Sequence, residues 1–172
     1  MDRIRALLAE PVQRGLTTAD ELTAELEVGS QRGSARVRVV LEEMRANVHS
    51  PAESWGYRMV EGTAFAAMRW NPRILDRNGQ LLGIPDGWMD DVALAWQIDS
   101  REFHLAPAHY EATVRRHTAM TSAGITVVHT LPSQLRREPS QVLRDLRRAY
   151  EHAQRRPRPP VTAVAQTVPR AA

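Results

Sequence analysis

Pro85-Asp86-Gly87-Trp88-Met89-Asp90-Asp91-Val92-Ala93-Leu94-Ala95-Trp96-Gln97-Ile98-Asp99-Ser100-Arg101-Glu102-Phe103-His104 is the stretch on which the fold turns. Val92 to Ile98 is apolar almost throughout, the pattern of a strand covered on both faces. Asp86 follows Pro85 at the entry to a strand pair, Asp90 and Asp91 start the apolar strand, and Asp99 closes its far end. Side chains alternate along a strand, so Gln97 and Asp99 point to the same face. A hairpin here brings Asp86, Gln97 and Asp99 around one point. Oxygen ligands converging in this way suit magnesium, which keeps several waters and binds one or two carboxylates beside a substrate phosphate. Such an ion activates water and neutralises charge on a scissile phosphodiester. The same residues have a plainer reading. Aspartates at strand ends are common turn formers and caps, and Asp99-Ser100 alone could cap a turn.

Working outward, Asp76-Arg77-Asn78-Gly79 is a turn signal between Arg73-Ile74-Leu75 and Gln80 to Ile84, which predicts a hairpin. On the other side, Pro107 opens a helix to about Ser122 with Tyr110, Val114 and Thr118 on one side. Gly124 caps it, and Ile125 to His129 forms a buried strand. Pro139 starts a last helix to about Ala153, its inner stripe formed by Val142, Leu143, Leu146 and Tyr150. Toward the amino terminus, residues 3–14, 18–28 and 33–47 read as helices, with Thr18-x-x-Glu21 as a capping box. Ser50-Pro51-Ala52-Glu53 is a second capping box, opening a helix to about residue 61.

From residue 50 onward the order is therefore α, β, β, β, α, β, α. The strand–helix–strand step across 92–129 calls for a right-handed crossover if those strands are parallel neighbours. The expected fold is an α/β sandwich with a mixed sheet flanked by helices. Residues 1–48 form a helical extension, 49–153 the α/β domain, and 154–172, rich in proline and arginine, a disordered tail.

Composition bounds the setting. The 172 residues have room for one domain with small appendages, and no apolar run approaches the length needed to cross a bilayer. Cysteine is absent, which excludes disulfides and cysteine-ligated zinc and is consistent with a reducing cytoplasm. All 23 basic residues are arginine, and the formal net charge is +3. Clusters such as Arg115-Arg116, Arg136-Arg137 and Arg147-Arg148 could grip phosphates, or could be a solvated face paired with Glu138, Asp145 and Glu151.

Taken in order, Trp70-Asn71-Pro72, Pro85 to Trp88, Val92 to Ser100, Arg101 to Leu105, Arg116-His117 and Gly124 to His129 resemble an actinobacterial protein group. That group belongs to the PD-(D/E)XK superfamily and is related to the very-short-patch repair endonuclease. Its relatives often carry an AbiEi-type antitoxin winged-helix region and are labelled as type IV toxin–antitoxin proteins. The resemblance covers about residues 48 to 150 and implies a restriction-endonuclease-like fold, a magnesium cofactor and a DNA partner. The lack of a long apolar run leads us to expect no membrane association. Asp86 matches the metal-binding aspartate, Gln97 falls where the family usually has glutamate, and Asp99 stands where the wider superfamily has lysine. The implied metal ligands are Asp86 and Asp99. Glu53 matches an acidic residue on the first helix, although its capping box already explains it. His104 resembles a histidine used near the scissile phosphate, or is a polar residue at a strand-to-helix junction. Arg101, Arg115 and Arg116 are the implied nucleic-acid contacts. His109 and Arg116, seven apart, share a helix face that could meet phosphate or solvent.

Gln97 removes one negative charge from the implied metal shell, so a neutral amide oxygen would hold a divalent ion less strongly. The resemblance thus carries two expectations. One is a metal-dependent DNA endonuclease weakened by Gln97. The alternative is a catalytically impaired relative that binds nucleic acid or a partner protein in a toxin–antitoxin system. A structural module with merely solvated arginines is a third reading.

Overall fold

The computed structural model describes residues 2–29, 32–99 and 107–166, and they form two compact units that meet in sequence between Ser54 and Trp55. The first unit carries three helices: α1 (Asp2–Gln13), α2 (Ala19–Val28) and α3 (Ala35–Arg45). Thr18 caps α2 as its spacing predicts: its hydroxyl accepts from Glu21 N at 3.1 Å, and the Glu21 carboxylate accepts from Thr18 N at 2.9 Å. On α3, Val40 and Leu41 are buried beside a buried charge, Glu43. Glu43 is paired with Arg5 of α1 and accepts a hydrogen bond from Ser54 Oγ at 2.6 Å. These contacts tie the first turn of helix α4 (Pro51–Val60) to the amino-terminal unit. The boundary between the two units falls inside α4.

The second unit is mixed α/β. Its main sheet has four strands in the order β1 (Arg69–Trp70), β4 (Gly87–Met89), β5 (Leu94–Ile98), β6 (Thr126–Thr130). β4 pairs antiparallel with both β1 and β5, and β5 pairs parallel with β6. Helix α5 (Pro107–Ser122) lies between those two parallel strands in sequence. The hairpin signalled by Asp76 to Gly79 forms as β2 (Arg73–Leu75) and β3 (Leu81–Gly83), but in a separate three-stranded sheet. The Asp76 carboxylate accepts from Asn78 N and Gln80 N, both at 2.8 Å, which fixes the turn.

The third strand of that smaller sheet corrects an expectation. The segment after Arg155, expected to be disordered, is ordered through the last described residue, Gln166. Its strand β7 (Thr162–Val164) pairs with β2, and Val161 is buried in the core. Arg158 anchors the approach by donating to the Asp90 carbonyl at 2.6 Å. The prolines that suggest disorder fix φ near extended values and suit the edge of a sheet, while Val161 to Val164 supplies strand-forming residues.

Alternation assigns the faces of the main sheet. Trp88, Ala93 and Ala95 pack with Ile74, Met120, Ile125 and Val161 on the side covered by α5 and the smaller sheet. Trp70, Trp96 and Ile98 take the other side, against Gly56 of α4, where a Cβ would stand only 3.0–3.1 Å from all three. Helix α7 (Pro139–Gln154), which follows the short helix α6 (Pro132–Arg137), contacts β5 and β6 and buries Val142 and Leu146 as its periodicity predicts. On α5 the Val114–Thr118 side faces solvent, with Val114 44% exposed; Met120 is the residue it sends into the core.

Gly87, beside Asp86, is closely packed against Met68 and Trp96. A Cβ there would overlap the Met68 sulfur. Gly87→Val is expected to lower stability by about 1–3 kcal/mol through overpacking. Urea denaturation followed by tryptophan fluorescence checks this, since all four tryptophans lie in the second unit.

Candidate active site

Asp86 immediately precedes β4, and the register that sets Gly87 opposite Trp96 sets Asp86 opposite Gln97. Its Oδ2 accepts from the Ile98 amide at 2.5 Å, so the carboxylate is held across the end of the strand pair. Asp99, two residues beyond Gln97, follows β5; its amide donates to Thr130 O at 3.0 Å, which continues the parallel pairing with β6. Asp86, Gln97 and Asp99 all line one cavity of about 230 Å³. The face that begins as core at Ala93 and Ala95 thus becomes polar at Gln97 and Asp99, where the cavity opens. Ile84, Ile98 and Met120 give it apolar walls, and Arg116 of α5 gives it a cation.

Two histidines complete the cavity. His129 is the register partner of Gln97 on β6, and its Nδ1 lies 2.6 Å from Asp99 Oδ2. Its Nε2 lies 2.9 Å from Nδ1 of His117 on α5, with ring centroids 5.0 Å apart. A carboxylate–imidazole–imidazole chain therefore crosses from the strands to the helix. Both histidines fall in segments that carry the resemblance, but no local pattern marks either as a site residue. The usable signal is parity: His129 shares its strand face with Ile125 and Val127, which places it on the Gln97–Asp99 face only once β5 and β6 are paired.

Electrostatics at His129 follow from this geometry. The hydrogen bond that His129 donates to Asp99 raises its pKa above the ordinary 6.5, partial burial opposes the rise, and the charges of Asp99 and Asp86 add to it. A histidine whose pKa is raised on folding contributes stability that is fully present below pH 6.5 and is lost as pH climbs through the folded value. An NMR titration is expected to show a His129 midpoint above 6.5, falling in Asp99→Asn, which removes the charged acceptor.

Of the other expected site residues, Arg116 lines this cavity. Glu53 belongs to the amino-terminal unit, where its carboxylate accepts from His49 N at 2.9 Å and its own amide donates to Ser50 Oγ at 3.1 Å. Its cap role is thereby established. Arg115 is exposed and pairs with Glu111 one turn back on α5 at 3.5 Å. Arg116 bends toward Thr113, donating to its Oγ1 at 3.2 Å on the cavity wall. Arg101 and His104 lie outside the described residues, as does the side chain of His109.

The donors facing the cavity are hard oxygens from Asp86, Asp99 and Gln97, a set that fits a small divalent cation retaining several waters. Among the described residues, no group of three or more histidine, aspartate or glutamate side chains is arranged as a ligand set. Two carboxylates and an amide line the cavity together. No helix of the described residues is long and apolar enough to cross a membrane. Comparison with protein-family models, with curated proteins and with solved structures gives no match.

Proposed function

We propose that this cavity hydrolyses phosphodiester bonds of DNA with the help of a divalent ion held by Asp86 and Asp99. The observation that carries the reading is the convergence of Asp86, Gln97 and Asp99 beside Arg116 in one cavity. The mixed α/β architecture of the second unit is compatible with the fold that the sequence resemblance implies. The choice of DNA rests on that resemblance.

When bound, the ion supplies Lewis acidity and an activated water. The chain's own part is to place and balance charge. Asp86, fixed by the Ile98 amide, lines the cavity as one of its two carboxylates. Asp99 keeps one oxygen for His129 and has the other for the ion. Arg116 sits where a planar guanidinium can take a phosphate oxygen. Gln97 orients through its amide without adding charge.

A specific observation favours a second reading, the catalytically impaired relative that binds nucleic acid or a partner protein. Gln97 is neutral, and His129 already engages one of the two remaining carboxylates. Both weaken the hold on a cation. Gln97→Glu separates the readings. If the site is active but weak, cleavage of plasmid DNA in manganese or magnesium is expected to rise about 10- to 100-fold, the range over which groups that tune a metal site act. A wild type that is silent in both metals while Gln97→Glu cleaves gives the case to the impaired reading. Silence from both proteins rejects hydrolysis at this site.

A further inference from the structure

The chain of hydrogen bonds that ends at His117 goes beyond the residues that would hold an ion, and what it implies rests on the hydrolytic reading above. We propose that His117 is the catalytic residue that accepts the proton of the attacking water, through Nε2, with His129 and Asp99 as its positioning residues.

The tautomers follow from the partners. An ionised carboxylate only accepts, so His129 Nδ1 carries the hydrogen that faces Asp99 Oδ2 at 2.6 Å. Above its raised pKa the His129 ring is neutral, and Nε2 is then a bare acceptor. The 2.9 Å contact with His117 is then a hydrogen bond only if His117 Nδ1 is the donor. His117 Nε2 is left with its lone pair, and among the described residues it has no other hydrogen-bond partner. The basic atom of the chain is thus on the ring that shares the cavity wall with Arg116, Asp86 and Asp99. The Asp99–His129 pair fixes both the tautomer and the tilt of His117, as a buried carboxylate does for a catalytic imidazole.

The step balances without a further reagent. A water oxygen forms its bond to phosphorus as one of its protons passes to His117 Nε2. The bond from phosphorus to the leaving alkoxide breaks, and that oxygen takes a proton from solvent. His117 then returns its proton to bulk water. While protonated, His117 keeps its Nδ1–H bond to His129, so its positive charge lies at the head of a chain that ends on a carboxylate.

The test uses the full chain and reads two things. Long-range nitrogen–proton NMR spectra are expected to show His117 with hydrogen on Nδ1 and a bare Nε2. Plasmid cleavage in manganese is expected to fall about 10²- to 10⁴-fold in His117→Ala and in His117→Gln, the usual range for a lost general base. Manganese affinity is expected to stay unchanged in both variants. Gln can still donate to His129 Nε2, so it rescues a structural role but not a proton-accepting one. Added imidazole is expected to restore part of the activity of His117→Ala. Cleavage that survives either substitution, or that Gln rescues, overturns the proposal and leaves the hydrolytic reading standing. Loss of manganese binding in His117→Ala makes His117 a ligand and also overturns it. A wild type that cleaves no DNA in either metal overturns both.

Discussion

Asp86→Ala is expected to cost about 10³-fold in metal-dependent cleavage. Asp86 lines the cavity with one oxygen pinned by a backbone amide, at 2.5 Å from Ile98 N. Its removal takes one of two charges from a site that already lacks a third at Gln97. An ion's stabilisation of transition-state charge is worth several kcal/mol, and about 4 kcal/mol at roughly 1.4 kcal/mol per decade gives that factor. Asp86→Asn separates charge from shape. It keeps an acceptor for the Ile98 amide yet supplies a neutral oxygen, so it is expected to resemble the alanine variant in activity while staying closer to wild type in stability. Single-turnover rates and thermal melts of the three proteins check both halves.

Glu43→Ala is the largest stability change we expect, a loss of about 3–5 kcal/mol from the amino-terminal unit. The carboxylate is buried on α3, paired with Arg5 of α1 and bonded to Ser54 Oγ at 2.6 Å. Removing it takes the Glu43 charge from beside the buried guanidinium of Arg5, so less remains to offset that group's desolvation. Replacing both, as Arg5→Met with Glu43→Leu, is expected to recover most of the loss, because apolar packing removes both desolvation costs. The readout is far-ultraviolet circular dichroism in a urea titration. Tryptophan fluorescence does not serve here, since every tryptophan lies at or beyond Trp55.

How much of the fold is legible in the sequence varies with the range of the interactions. Helices are legible where caps and periodicity agree, as at Thr18-x-x-Glu21 and along α7, because those signals are local. The hairpin of β2 and β3 is legible from Asp76 to Gly79, since a turn is set by its own four residues. Strands β1 and β4, two and three residues long, carry too little alternation to read. Composition hides β7: prolines and arginines mask a short strand whose only justification is the edge of β2. In the candidate site, Asp86, Gln97 and Asp99 can be gathered from strand alternation and one hairpin. His117 and His129 cannot, because their meeting depends on the pairing of β5 with β6 and on the docking of α5, neither of which a local pattern encodes. The cap role of Glu53 is the reading its spacing favours, and the hydrogen bonds agree with it.

The most direct test of hydrolysis at this cavity is a single-turnover assay of supercoiled plasmid in manganese, with the wild type and Asp86→Ala side by side and a chelator control. The expected result is nicking by the wild type that the chelator abolishes and Asp86→Ala slows about 10³-fold. Nicking of equal rate in the two proteins, or nicking that persists in chelator, would contradict hydrolysis by a metal ion at Asp86.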